Sequence, residues 1–339
     1  STDNAEAYRA FYVTIGQANM AIQNINTYAG DGVSESIKNH AIAEARFMRA
    51  LAYTHLVSNY GPVPVIENNL EHLSNPALRR NTVESIWEFI TRDYEFAAEN
   101  LLEEPVATGR LTRWSAEGML ARTWLTRAGV GSTGSRNQEY LDKARDYAER
   151  VITLSGKSLL QNYADLFLYP YDNNNESLFE LQWVFTTDYT YANTMVSQIT
   201  YSNDIANGDG WGGDIGASWW MLTLYDGLII DEGATPGFTA DERLKATFML
   251  PGFEYPEISQ TVREDDGKES LQDLVFPAPA DDADQSFASI KKYVVGKAID
   301  VNNQASQQRY PNNTYMLRLA EMYLIYAEAV LGNSAPTTD

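Results

Sequence analysis

Apolar side chains recur at helical spacing through the first half of the chain. Tyr8, Phe11, Ile15, Ala18, Ile22 and Ile25 share one face, and Gly30 to Gly32 break the pattern. A second stripe follows, with Met48, Ala52 and Leu56 four apart and Phe47 and Leu51 beside them, and it stops at Gly61-Pro62. Together the two stripes predict a helical hairpin. In the next pair, Asn81 with Glu84 three residues on predicts a capped start. Ile86, Ile90, Tyr94, Ala97 and Leu101 form the stripe, and Pro105 ends it. Its partner begins near Thr112, where Ala116, Leu120, Trp124 and Ala128 form a row dense in small residues that lets a neighbouring helix approach closely. Gly129 to Gly134 close it. Leu141, Ala144, Ala148 and Val151 predict one more helix, and Met316, Leu319, Ala320, Tyr323, Ala327 and Val330 predict a strong one near the carboxyl end.

From Tyr8 to about Ile152 this is the rhythm of tetratricopeptide-like hairpins, each burying its apolar face by stacking on the next. Between about Tyr169 and Pro311 the pattern gives way to Gly, Asn, Asp, Pro and aromatic residues, with short apolar runs such as Leu178 to Val184. Long irregular stretches inside a compact fold tend to be functional. Two short helices are expected within it, at Trp219 to Tyr225 and Glu242 to Phe248. The fold class read from the pattern is all-α: stacked hairpins carrying a large loop-rich insertion. It makes one domain over 1–339, with a helical scaffold at 1–168 and 312–331 and the irregular segment at 169–311.

Composition narrows the function. The 339 residues hold 25 Lys plus Arg against 46 Asp plus Glu, a formal charge of -21 that repels nucleic acid and anionic lipid alike. No cysteine is present, so neither disulfides nor thiolate metal sites support the fold. No apolar run approaches the ~20 residues of a membrane helix, and Ser1 to Glu6 are polar rather than signal-like.

Several constellations invite a catalytic reading and fit a structural one better. Glu44, Arg46 and Arg49, and Arg318, Glu321 and Glu328, sit at helical spacing and read as ion pairs that fix the register of neighbouring hairpins. Asp265 or Asp266 with Asp281 or Asp282 is a conceivable glycosidase pair, but carboxylate runs in polar loops of an acidic chain are ordinary surface. His40, His55 and His72 lack a second ligand at i+4, so no metal site is assigned. Asp172 to Glu176 offers oxygen ligands but not a full calcium loop, and reads as a turn. No nucleophile elbow or phosphate-binding glycine loop occurs, so neither a catalytic residue nor a cofactor is assigned.

The aromatic residues carry functional content. Tyr, Trp and Phe number 21, 7 and 12, and many of the Tyr and Trp fall outside the helical stripes. Sugar rings present flat C–H faces that stack on such rings while Asn, Asp and Arg bond the hydroxyls. Trp211, in Gly208-Asp209-Gly210-Trp211-Gly212-Gly213-Asp214, is the leading candidate because flanking glycines expose its ring. Tyr189, Tyr191 and Tyr201 follow, interleaved with Asp188, Asn193, Asn203 and Asp204. The candidate ligand-binding set is Trp211, Tyr189, Tyr191, Tyr201, Asn203, Asp209 and Asp214. The competing assignment makes these rings pins that hold the irregular segment on the helices.

Four segments carry a family resemblance: Glu44 to Tyr53 running on to Pro64; Gly109 to Thr112 followed by Ala121 to Leu125; Asn174 to Glu180; and Leu317 to Ala329. Tyr225, Asp241 and Arg243 add to it. They make the chain similar to the SusD/RagB family of starch-utilisation-system lipoproteins, which hold glycans at the surface of Bacteroidetes cells. The resemblance implies a surface glycan-binding protein rather than an enzyme. Its ligand would be an oligosaccharide or polysaccharide, and its partner a SusC-like TonB-dependent transporter of the outer membrane. A lipid anchor would lie upstream of Ser1, and the chain looks trimmed at both ends relative to the family. A helical-repeat adaptor for proteins and a glycan hydrolase stand as the alternatives.

Overall fold

A computed structural model describes residues 2–70, 77–208, 210, 216–225, 241–276 and 288–334. Its helices are α1 (Thr2–Tyr28), α2 (Glu35–Tyr60), α3 (Val83–Asn100), α4 (Arg113–Gly129), α5 (Gln138–Leu154), α6 (Met195–Ile199), α7 (Trp219–Leu222), α8 (Arg243–Thr247) and α9 (Leu319–Leu331). Its strands are β1 (Ser177–Leu181), β2 (Phe248–Met249), β3 (Glu254–Arg263), β4 (Glu269–Val275), β5 (Ser289–Ile290) and β6 (Thr314–Arg318). Among the described residues no helix is long and apolar enough to cross a membrane. The chain divides into two compact units, residues 1–159, 176–179 and 316–339, and residues 160–175 and 180–315.

In the first unit each long helix packs on the next, α1 on α2, α2 on α3, α3 on α4 and α4 on α5, with α9 laid against α5. The stripes of α2 to α5 face this core, with Phe47, Tyr53, Leu56, Ile86, Ile90, Tyr94, Leu120 and Leu141 fully buried. The stripe predicted for the last helix does not: Tyr323, Ala327 and Val330 are exposed, and α9 buries Met322, Ile325 and Ala329 with Leu319 instead, because the helix is apolar around most of its circumference and its pattern singles out no one face. Hydroxyl and amide caps start the helices. Ser34, Thr82, Thr112 and Asn137 each accept a backbone N–H of the first turn of α2, α3, α4 and α5. The start of α3 is therefore one residue past the predicted Asn81. Gly61, at φ 67°, ends α2 in a conformation that a side chain disfavours.

The small-residue row of α4 is buried throughout, and Gly118 beside it is a site of close approach. A Cβ there would fall 2.5 Å from Cδ2 of Leu317. Ser115 joins the same face to the chain opposite, its hydroxyl donating to Leu178 O at 2.6 Å.

The charged clusters are register pins. Arg49 forks onto Asp93, Nε to Oδ2 at 2.7 Å and NH2 to Oδ1 at 2.8 Å, and its NH1 donates to Asn19 at 2.7 Å. This ties α1, α2 and α3 together inside the core. Burial pushes the Asp93 carboxyl up despite the Arg49 fork. Arg110 holds Glu44, Arg122 forks onto Glu321 at 2.5 and 2.6 Å, Arg136 reaches Glu328 at 2.5 Å, and Arg318 reaches Glu176 at 2.5 Å. Glu117, buried in α4, accepts from both Arg113 and Arg150, at 2.7 and 2.6 Å.

The second unit is not built of helices and loops alone. Strands β3 and β4 form an antiparallel hairpin, Glu254 opposite Val275 and Arg263 opposite Glu269, with an irregularity in register between Tyr255 and Ser259. Two further two-stranded sheets, β2 with β5 and β1 with β6, complete the strands of the described residues. The all-α expectation is thus widened, because β3 hides its period. Its buried residues Tyr255 and Ile258 are three apart across Pro256 and the bulge, which spoils the two-residue alternation. The last helix also starts later than predicted, since Met316 and Leu317 belong to β6. The two short helices occur as α7 and α8. Ile199, Ile205, Met249, Tyr255, Ile258, Leu274, Phe276 and Val294 form the hairpin's core.

Candidate functional site

A concavity rich in amides and rings is built where the chain leaves Tyr169 and meets the stretch before β6. It has a volume of about 590 Å³. Three rings, Tyr169, Trp183 and Phe185, contribute apolar surface, and five amides, Asn173, Gln182, Asn303, Gln304 and Asn313, contribute donors and acceptors together. Asp172 is its one titratable carboxyl.

Hydrogen bonds fix these groups. Asn173, at φ 56°, turns the chain so that its N–H donates to Glu180 Oε2 at 3.0 Å. Its amide pairs reciprocally with that of Gln182, both bonds at 2.9 Å. Asn313 knits the site together: its Nδ2 donates to Glu180 at 2.9 Å and Gln182 at 3.0 Å, while its Oδ1 accepts the Trp183 N–H at 2.9 Å. The Trp183 indole donates to Thr314 Oγ1 at 3.0 Å, and Tyr169 donates to Gln304 at 2.7 Å. Amides already oriented in this way lose little freedom on taking a ligand.

Asp172 accepts the Asn313 N–H at 2.9 Å. Burial pushes its carboxyl up to about 7, opposed by that hydrogen bond and reinforced by the charge of Glu180. It therefore changes charge near neutrality.

The predicted rings divide by environment. Tyr189 and Tyr191 are 49% and 59% exposed, in a single 3-10 turn capped by Asp188 a few residues past Phe185. Val184 N–H bonds Tyr191 O at 2.9 Å, and the Arg309 guanidinium lies 5.3 Å from the centre of the Tyr189 ring. Tyr201 packs edge-on against Phe276, centroids 4.8 Å apart, on the hairpin core, and burial pushes its hydroxyl up to about 12. Asn203 is exposed, and its backbone carbonyl accepts from Ala206 and Gly208. Neighbouring Asp204 is taken up by Thr261 and Lys297, at 2.5, 2.6 and 3.0 Å. Trp211, Asp209 and Asp214 lie outside the described residues, as do His72, Asp281 and Asp282. Of the imagined acidic pairs, Asp266 is engaged by Lys268 at 2.5 Å in a turn.

The amides of the cavity were not singled out in the sequence. Asn173 lay in a stretch read as a turn, which it is, and Gln182 and Trp183 lay in or beside an apolar run. The available signal was Gln182-Trp183-Val184-Phe185, where large rings continue past the end of a buried strand.

Residues 1–125 match the SusD-like family described as starch-binding and associating with the outer membrane, and residues 175–338 match the SusD family. A SusD-like protein of Bacteroides ovatus is 36% identical over 335 residues, covering 98% of this chain and 56% of that protein. A crystal structure with a xylogluco-oligosaccharide superposes with a TM-score of 0.83 at 35% identity, over 100% of this chain and 62% of the other. A SusD superfamily protein of Parabacteroides distasonis, 21% identical, shares the fold with a TM-score of 0.76 over 98% of this chain and 64% of its own. The chain thus spans less than two thirds of the length of each of these relatives. Two family matches that between them take in both the helical first half and the strand-to-helix carboxyl segment establish that the chain belongs to the SusD/RagB family.

Proposed function

We propose that this chain is the glycan-binding body of a surface lipoprotein that captures oligosaccharides and delivers them, uncut, to a SusC-like TonB-dependent transporter of the outer membrane. The observation that carries the reading is the cavity of five amides and three rings beside the exposed Tyr189 and Tyr191. Rings take the flat faces of sugars, amides take hydroxyls as donor or acceptor, and neither requires charge on the ligand. Trp211, Asp209 and Asp214, with Tyr201 and Asn203, complete the proposed binding set. In this reading the stacked hairpins act as a tetratricopeptide-like backing that holds the first unit rigid. Binding of a xylogluco-oligosaccharide by a relative supports the ligand class, and family membership supports the outer-membrane address.

Affinity electrophoresis in gels containing neutral polysaccharides tests the site. Removing both Tyr189 and Tyr191 side chains to Ala should weaken retention about tenfold, at ~0.5–1.5 kcal/mol per ring. Trp211→Ala should weaken it as well, with helical circular dichroism unchanged in each variant. Undiminished retention of these variants on every glycan that the parent binds would remove the site. Release of reducing sugar would favour a hydrolase instead.

An adaptor reading draws on α9, where Tyr323, Leu324, Ala327, Val330 and Leu331 form an exposed apolar stripe. Such a face suits a protein contact, which the transporter role also requires.

A further inference from the structure

The second unit contains another cavity, of about 910 Å³, with different chemistry. Gln161, Asn162, Asp165 and Leu168 line it. The very next residue, Tyr169, lines the amide-rich cavity with Asp172 and Asn173. Consecutive Cα atoms lie ~3.8 Å apart, so the two cavities flank one stretch of backbone. We infer that the larger cavity is a second subsite for the same neutral glycan chain, so that a long chain occupies both cavities by passing around residues 161–173. This inference rests on the glycan-binding reading of the smaller cavity.

The lining supports a neutral, hydroxyl-rich occupant. Lys291 is buried there, donating to Glu257 at 3.0 Å and to Val294 O at 3.2 Å. An ammonium has three donors, so these bonds leave one for a ligand oxygen. Lys245 and Lys291 lie 5.6 and 5.4 Å from the centre of the Tyr255 ring, and Lys245 is exposed. Against these two cations stand Asp165, Asp241, Glu242, Glu254 and Glu257, of which Asp241 is held by Arg243. The surplus of carboxylates repels an anionic polymer such as a polyuronate. Hydroxyl groups, by contrast, can donate to the carboxylates and accept from the ammoniums. Leu168, Phe253 and Pro256 supply apolar surface for the sugar faces.

Titration calorimetry with two xylogluco-oligosaccharides, a single repeat unit and a chain of two repeats, tests this. Joining two weak subsites raises apparent affinity, and the two-repeat chain should bind at least ~10-fold tighter than the single unit. Gln161→Trp, which fills the larger cavity from an exposed position, should abolish that gain while leaving single-unit affinity at the parent value. Lys245→Ala, a second exposed change, should reduce the gain by several-fold and guards against misfolding of the first variant. Equal affinity for the two lengths, or a length gain untouched by both variants, overturns the inference while leaving the smaller cavity's role intact. Failure of the single unit to bind, where a panel of other neutral oligosaccharides also fails, overturns the glycan-binding reading itself.

Discussion

Asp172 carries the clearest pH signature of the second unit. With its carboxyl raised to about 7, the native state holds a proton that the unfolded chain releases near pH 4. Its contribution to stability therefore falls as pH rises from about 4 to about 7 and is level above that. Asp172→Asn keeps the acceptor for the Asn313 N–H and removes the titration. The variant should be more stable than the parent at pH 8 by on the order of 1–2 kcal/mol after solvent screening, and equal to it near pH 4. Urea titrations at the two pH values check this, and equal stability at pH 8 would contradict it. Ligand affinity should follow the same group: the parent's varies between pH 6 and 8, and the Asn variant's does not. At Gly118 the limiting quantity is space. An Ala methyl would press on buried Leu317, so Gly118→Ala should lower stability by ~1–3 kcal/mol even though Ala is the better helix former. Thermal denaturation reads this directly, and an unchanged or raised Tm would contradict it.

At the scale of elements, α2 to α5 were legible because each carries its burial as a stripe and its start as a cap. Glu44, Arg46 and Arg49 were also legible as register pins, since a desolvated guanidinium in a helix core needs a carboxylate partner on its neighbour. Asp93 is that partner, and a single acidic residue inside a stripe does not announce its pairing in the sequence. Arg49→Met leaves Asp93 buried without its fork and should cost ~3–5 kcal/mol. The double variant Arg49→Met with Asp93→Leu should recover much of that loss. Chemical denaturation of both variants checks the pair, and a neutral single variant would contradict it. The β3–β4 hairpin was not legible. Proline and a bulge put its two buried residues three apart, a spacing that matches neither a strand nor a helix.

At the scale of the whole molecule, the sequence marked the segment that holds the candidate cavity better than the individual residues that line it. Tyr189 and Tyr191 are exposed as expected, whereas Tyr201 packs against the hairpin core, and nothing in their shared Tyr-Asn-Asp surroundings separates the two cases. The amides of the cavity come from stretches far apart in sequence, Asn173 and Gln182 on one side and Asn303, Gln304 and Asn313 on the other. Only the folded chain brings them together. The central claim is that a neutral glycan is held by these amides and the neighbouring rings and is not cleaved. Titration calorimetry with a neutral oligosaccharide bound by the parent, followed by an assay for reducing ends in the same sample, tests it most directly. The account predicts saturable binding, weakened about tenfold by Tyr189→Ala with Tyr191→Ala, and no new reducing ends. Undiminished binding by that double variant, or a steady rise in reducing ends with the parent, would contradict it.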